Sequence, residues 1–196
     1  MQIIELILDE NEEMDGVQAI SIVDEPAIES DFIALKKQGI ELITQEVKFT
    51  TVNKDKRILM GAALIPNKAI FRRNKDKEYY IFFSSETVNK ASQIYLKESR
   101  QANTTLGHQV AVKDITVVES WIVANPEMDK SKHFGINVPK GTWMVSMKVD
   151  NEDIWNDFVK TGIVKGFSIE GYFADKIEMK KETSLIDKIK NIIENG

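Results

Sequence analysis

The chain contains no cysteine, four prolines and two histidines in 196 residues. Without cysteine there is no disulfide, no thiolate metal site and no cysteine nucleophile, and a reducing compartment is the natural setting. The two histidines, His108 and His133, lie far apart without a carboxylate motif beside them. That argues against a dedicated zinc site. Walker, GxGxxG, EF-hand and His-Glu-x-x-His patterns are all missing, so no cofactor is expected. Positive charge is not in excess either: 26 Lys and Arg stand against 31 Asp and Glu, for a formal net charge of −5. Such a balance gives no pull toward nucleic acid or an anionic membrane. No apolar run approaches the roughly 20 residues of a membrane span. The start, Met1-Gln2-Ile3-Ile4-Glu5, lacks the basic region of a signal peptide. The expectation is a soluble intracellular protein with neither nucleic acid nor membrane as partner.

What is present suits a folded body. Hydrophobic residues make up 42% of the chain, enough for a sizeable core in one domain with appended arms. Three segments are expected. An N-terminal arm, 1–46, either free or packed into the barrel, carries apolar runs at Gln2 to Leu8 and Val17 to Val23, then a short helix capped by Asp24 and opened by Pro26. A core domain spans 47–180. An amphipathic C-terminal helix, 181–196, is marked by Leu185, Ile186, Ile189, Ile192 and Ile193.

Within the core, Val47 to Val52 and Arg57 to Ile65 read as strands. Ile70 to Arg72 and Tyr79 to Phe83 read as a hairpin. Ser84 or Ser85 caps a helix reaching Glu98, with Val88, Ala91 and Tyr95 on one stripe. Alternation puts Val117, Glu119, Trp121 and Val123 on one face of a strand, and Trp143, Val145, Met147 and Val149 on one face of another. The intervening stretch, Asn125 to Lys140, reads as a long irregular loop, either a surface excursion or disordered. Asp150 is the expected cap of a helix from Asn151 to Thr161 that buries Ile154, Trp155, Phe158 and Val159 and stops at Gly162. The class expected is α+β: a small, mostly antiparallel sheet or barrel with helices around it.

Chemistry concentrates in Lys165-Gly166-Phe167-Ser168-Ile169-Glu170-Gly171-Tyr172-Phe173. In a strand Ser168 points with Glu170 and Tyr172, away from Phe167, Ile169 and Phe173. Glycines on either side leave room for another chain to approach. Read blandly, Ser168 is an ordinary strand serine and the glycines are turns. Read functionally, it is a nucleophile, and a serine hydroxyl then needs a neighbouring base. His108, in Thr105-Leu106-Gly107-His108, is the candidate; its bland reading is a loop-edge histidine. His133 reads as a solvated loop residue. For a carboxylate that orients the imidazole, Glu119 is favoured, because its strand face suggests partial burial and a buried carboxylate needs a partner. An Arg or Lys would serve Glu119 equally well. Glu170 and Asp114 are the other candidates. Gly166-Phe167-Ser168-Ile169-Glu170 breaks Gly-x-Ser-x-Gly at its last position, which disfavours an α/β-hydrolase elbow.

Several segments together resemble the XkdF-like branch of phage prohead serine proteases. They are Arg57 to Pro66, Thr116 to Val123, Lys140 to Val149, and Gly166 to Tyr172. The order of histidine, helix and Gly-x-Ser is similar too, and the likeness runs from about Val47 to Phe173. The resemblance implies an assemblin-like fold, a small and mostly antiparallel barrel with surrounding helices. It implies a serine endopeptidase inside the assembling prohead, in the cytoplasm of the bacterial host. Scaffold and major capsid protein precursors would be its substrates, and it would also cleave itself; a homo-oligomer is left open. Carried onto this chain, His108 is the base and Ser168 the nucleophile. No histidine follows Ser168, so the assemblin arrangement with a second, later histidine does not apply. Gln18 to Ala27 looks like the strand that follows the serine in ordinary prohead proteases, which suggests a circular permutation; the first strands should then lie beside the Ser168 strand. Two other readings stand: an inactive capsid-assembly or scaffold-associated protein with this fold, and an unrelated peptide-binding barrel.

Overall fold

The computed structural model describes residues 2–9, 15–24, 36–37, 40–41, 49–53, 56–74 and 77–176. The helix expected after Asp24 and the amphipathic tail expected in 181–196 lie outside the described residues. In chain order the strands are β1 (Gln2–Ile7), β2 (Gly16–Val23), β3 (Lys36–Lys37), β4 (Ile40–Glu41), β5 (Thr50–Asn53), β6 (Ile58–Leu64), β7 (Ile70–Asn74) and β8 (Lys77–Phe83). Helix α1 (Ser85–Lys97) follows. Next come β9 (Thr104–Leu106), β10 (Val110–Val112), β11 (Ile115–Ile122), the short α2 (Lys130–His133) and β12 (Trp143–Val149). A π-wound helix, α3 (Ile154–Val159), leads to β13 (Gly166–Tyr172) and β14 (Ala174–Asp175). No helix among the described residues is long and apolar enough to cross a membrane.

Three four-stranded sheets carry the fold, in the orders β14-β1-β8-β7, β10-β9-β2-β13 and β11-β12-β6-β5. Most pairings are antiparallel; β1 with β8 and β2 with β9 are parallel. The α+β class therefore stands, but the described strands do not form a closed barrel. The sheets meet at corners instead: Phe49 N–H donates to the Lys165 carbonyl at 3.0 Å, and Val117 N–H to the Gln101 carbonyl at 2.9 Å. Both strands of the expected N-terminal arm belong to the sheets, β1 beside β8 and β2 between β9 and β13.

Alternation built the core. Ile20 and Ile22 of β2, Trp143, Val145, Met147 and Val149 of β12, and Phe167 of β13 pack in one buried cluster. Val88, Ala91 and Tyr95 of α1 close it, with the Tyr95 ring edge-on to Trp143 at 5.3 Å. The helix begins where Ser84 accepts the Thr87 N–H, a cap worth about 1 kcal/mol.

The structure departs from the sequence reading in three further places. First, β11 is bulged between Val117 and Glu119. An extra residue in one strand reverses which face the following residues occupy. Val117 therefore joins the main core, whereas Val123 and Trp121 belong to a second cluster with Met60 and Met144. Second, the stretch from Asn125 to Lys140 is packed down: Ile136 and Val138 are buried in that second cluster. The Asp129 side chain caps α2 and also accepts from the Trp121 indole N–H at 3.2 Å. Third, Asn151, not Asp150, caps the helix before β13: its Oδ1 accepts the Ile154 N–H at 3.0 Å, while Asp150 pairs with Lys148 at 2.8 Å. The turn that follows closes from Lys160 N–H to the Trp155 carbonyl, wider than an α-helical turn.

Candidate active site

The second sheet sets a row of hydroxyls side by side. Ser168 of β13 lies opposite Ser21 of β2, and Ser21 lies beside Thr105 of β9. Paired residues on neighbouring strands project to the same face. Phe167 and Ile169 pair with Ile22 and Ile20, which are fully buried in the core. The hydroxyl row and Glu170 therefore occupy the opposite face, as the alternation around Ser168 required. Ser21 is fully buried and Ser168 is 8% exposed.

His108 reaches that face from the hairpin joining β9 to β10. Gln109 N–H closes the turn on the Leu106 carbonyl at 3.2 Å. Gly107 and His108, its two central residues, have φ of +58° and +60°. Two successive left-handed residues are the signature of the hairpin turn that matches strand twist. Glycine adopts that backbone freely, and histidine is among the few other residues enriched there. The turn is tied to β2 at two points: Gly107 N–H donates to the Ile22 carbonyl at 3.0 Å, and His108 N–H donates to Ser21 Oγ at 3.0 Å. Ser21 in turn faces the Thr105 carbonyl at 3.4 Å.

The imidazole meets a carboxylate. His108 Nδ1 lies 3.1 Å from Glu170 Oε1, with the two side chains 42% and 32% exposed. Thr105 Oγ1 donates to the same carboxylate oxygen. Thus Glu170 and Thr105 meet at the imidazole and Ser21 holds the His108 main chain, while Ser168 stands on the same strand face, opposite Ser21 and two residues from Glu170. Gly171, just beyond, lies against the Gly16 backbone so closely that a Cβ there would collide with the Gly16 carbonyl. This contact sits where the β13–β2 register shifts.

Glu119 is not in this cluster. The bulge at Val117/Glu119 turns it outward with Trp121, and both its oxygens bind Lys130 Nζ, at 2.7 and 2.5 Å. That bond holds its carboxyl below the ordinary carboxylate range. The Lys130 ammonium also lies 5.4 Å over the Trp121 ring, so Glu119 helps fasten the 125–140 stretch. The partial burial inferred from alternation failed because alternation does not survive a bulge. Of the other two carboxylates weighed, Glu170 is at the imidazole. Asp114 sits exposed in the turn between β10 and β11, where its main-chain carbonyl accepts from Asp150 and Asn151. His133 is exposed in α2, its ring edge-on to Phe134 at 5.1 Å.

Two residues of the cluster escaped the sequence reading. Ser21, between Ile20 and Ile22, looks like any hydroxyl in a strand, and only the pairing of β2 with β13 gives it significance. Thr105 stands three residues before His108, yet nothing in that spacing tells which carboxylate it meets. On the opposite face of β13 a cleft of about 470 Å³ runs between Phe167, Ile169 and Phe173 and the side chains of Leu6, Ile81 and Phe83; Ser168 borders it. Among the described residues no group of three or more His, Asp or Glu is arranged to hold a metal ion.

A protein family described as "Putative phage serine protease XkdF" matches residues 46–178. No curated protein and no solved structure matches the chain.

Proposed function

The chain belongs to the XkdF family of phage serine proteases, and from that premise we propose that it is a serine endopeptidase working by acyl transfer through Ser168, His108 and Glu170. The observation that carries this reading is the His108 Nδ1–Glu170 Oε1 contact of 3.1 Å on the strand face that bears Ser168. A carboxylate at Nδ1 fixes the tautomer, leaving Nε2 as the nitrogen that exchanges a proton with a hydroxyl. In the proposed reaction Ser168 Oγ attacks the scissile carbonyl carbon and His108 takes the hydroxyl proton. The tetrahedral oxyanion is met by main-chain N–H groups beside Ser168. Collapse breaks the C–N bond, His108 gives the proton to the leaving amine, and water then releases the acyl group by the same route. Glu170 stabilises the imidazolium that forms in between.

The substrates proposed are scaffold and major capsid protein precursors, and the chain itself, inside the assembling prohead in the host cytoplasm. The position of β2 beside β13 supports the idea of an assemblin-like fold in circularly permuted order, with the N-terminal strand standing where an ordinary prohead protease has the strand after its serine. The proposal is tested by co-expressing the chain with the capsid and scaffold precursors of its phage and sequencing the new termini. Cleavage by the wild type that Ser168→Ala abolishes supports an endopeptidase. Equal processing by wild type and Ser168→Ala, or intact precursors in mature particles, points instead to an inactive assembly protein.

A further inference from the structure

The family match begins at residue 46, yet the residue facing Ser168 across the sheet is Ser21. We propose that strand β2 is part of the active site, with Ser21 as a positioning residue that holds His108 against the Ser168 strand. This rests on the reading of Ser168 and His108 as nucleophile and base.

Three observations converge on Ser21. It is fully buried, in a place where a hydroxyl without partners would be costly. Its Oγ has two: it accepts the His108 N–H at 3.0 Å and donates to the Thr105 carbonyl at 3.4 Å. And the amide it accepts belongs to a non-glycine residue at φ +60°, in the left-handed pair of a tight hairpin turn that this bond helps to hold. The main chain of the base is thereby fixed from the strand next to the nucleophile. Thr105 does the complementary task for the side chain, because its hydroxyl donates to the Glu170 oxygen that meets His108 Nδ1. One hydroxyl sets where the imidazole starts and the other sets where its carboxylate sits. Neither touches the reacting atoms in this scheme. The strand that supplies Ser21 lies outside the matched region, so the catalytic geometry is assembled from two parts of the chain distant in sequence.

The test uses the full chain and a fluorophosphonate probe, with the rate of adduct formation at Ser168 followed by mass spectrometry between pH 5 and 9. Ser21→Ala removes the acceptor and Ser21→Thr restores a hydroxyl. Loss of base positioning is expected to slow labelling by about tenfold or more in Ser21→Ala, comparable to one lost hydrogen bond to a buried group, and to displace the pH profile. Ser21→Thr is expected to recover most of the rate. Thr105→Val, which loses only the hydroxyl, is expected to slow labelling in the same direction. If Ser21→Ala does not fold, Ser21→Cys, with a thiol as weak acceptor, takes its place. The inference is overturned if folded Ser21→Ala or Ser21→Cys labels at the wild-type rate with the wild-type pH profile. It is also overturned if Ser21→Thr is as slow as Ser21→Ala. A wild type that forms no adduct at Ser168 overturns the underlying protease reading, a result distinct from either.

Discussion

Replacing Glu170 with glutamine separates the carboxylate at the imidazole from the one that alternation favoured. The substitution keeps a carbonyl oxygen near His108 Nδ1 and the Thr105 hydroxyl but removes the charge. The size of the effect follows from the geometry. Unit charges 3.1 Å apart interact by roughly 1.3 kcal/mol at a dielectric of about 80 and about 5 kcal/mol at about 20. With the two side chains 42% and 32% exposed, solvent screening pulls the value toward the lower figure. A loss of about 1.4 to 2.7 kcal/mol in the step that forms imidazolium slows acylation about ten- to a hundredfold. The assay is the second-order rate of fluorophosphonate labelling at Ser168. Glu119→Gln is the matched control. Its carboxylate is engaged by Lys130, away from the imidazole, and a surface change of this kind costs about 0.5 kcal/mol of stability at most, so its labelling rate should match wild type. Labelling of Glu170→Gln at the wild-type rate would refute the reasoning, and so would an equal fall in Glu119→Gln.

Other expectations concern stability. Burial pushes the Asp15 carboxyl above its ordinary value, despite its bonds to the main-chain N–H groups of Asp9 and Gly16. A raised value means the neutral form is favoured by folding, so that contribution is present at low pH and lost as pH rises through the folded value. Asp15→Asn should therefore melt higher than wild type at pH 7 and equal to it near pH 3 (about the range where both are neutral), as read by calorimetry. Glu119 has the opposite sign. Lys130 depresses its carboxyl, so the contribution of the pair is present above the ordinary carboxylate range and disappears as pH falls through the depressed value; melting curves of Glu119→Gln and wild type should differ at neutral pH and converge in acid. Gly61→Ala would place a methyl 2.8 Å from Phe49 Cβ and 3.0 Å from the Phe167 ring; overpacking of this kind costs about 1–3 kcal/mol in denaturant midpoint analysis. Asn151→Ala should lose about 1 kcal/mol from the missing cap, and Asp150→Ala less.

How far the sequence could be read depended on whether a signal was local. The caps, turns and alternation of α1, β12 and the β7–β8 hairpin are local, and each appears in the structure close to its expected place. Ser168 and Glu170 were put on one face by period two alone, and the pairing with β2 agrees. The carboxylate at the imidazole carries no such local signal. The bulge in β11 is a one-residue event with no residue-type marker in Val117-Val118-Glu119, and it moved Glu119 from the expected half-buried face to Lys130. The resemblance placed the first strands beside the Ser168 strand, and β2 does pair there; that Ser21 also meets the His108 main chain, more than eighty residues away in sequence, had no local signal. The π-wound helix before β13 carries the buried residues Ile154 and Trp155 expected of an α-helix, since a wider turn still sends a helical stripe inward.

The most direct measurement is to treat the purified full chain with a fluorophosphonate, digest it, and map the adduct by mass spectrometry, with Ser168→Ala and His108→Ala in parallel. The account predicts a single adduct on the peptide containing Ser168, absent in Ser168→Ala and strongly slowed in His108→Ala. An adduct on another serine, or one at Ser168 that forms equally fast without His108, would contradict it.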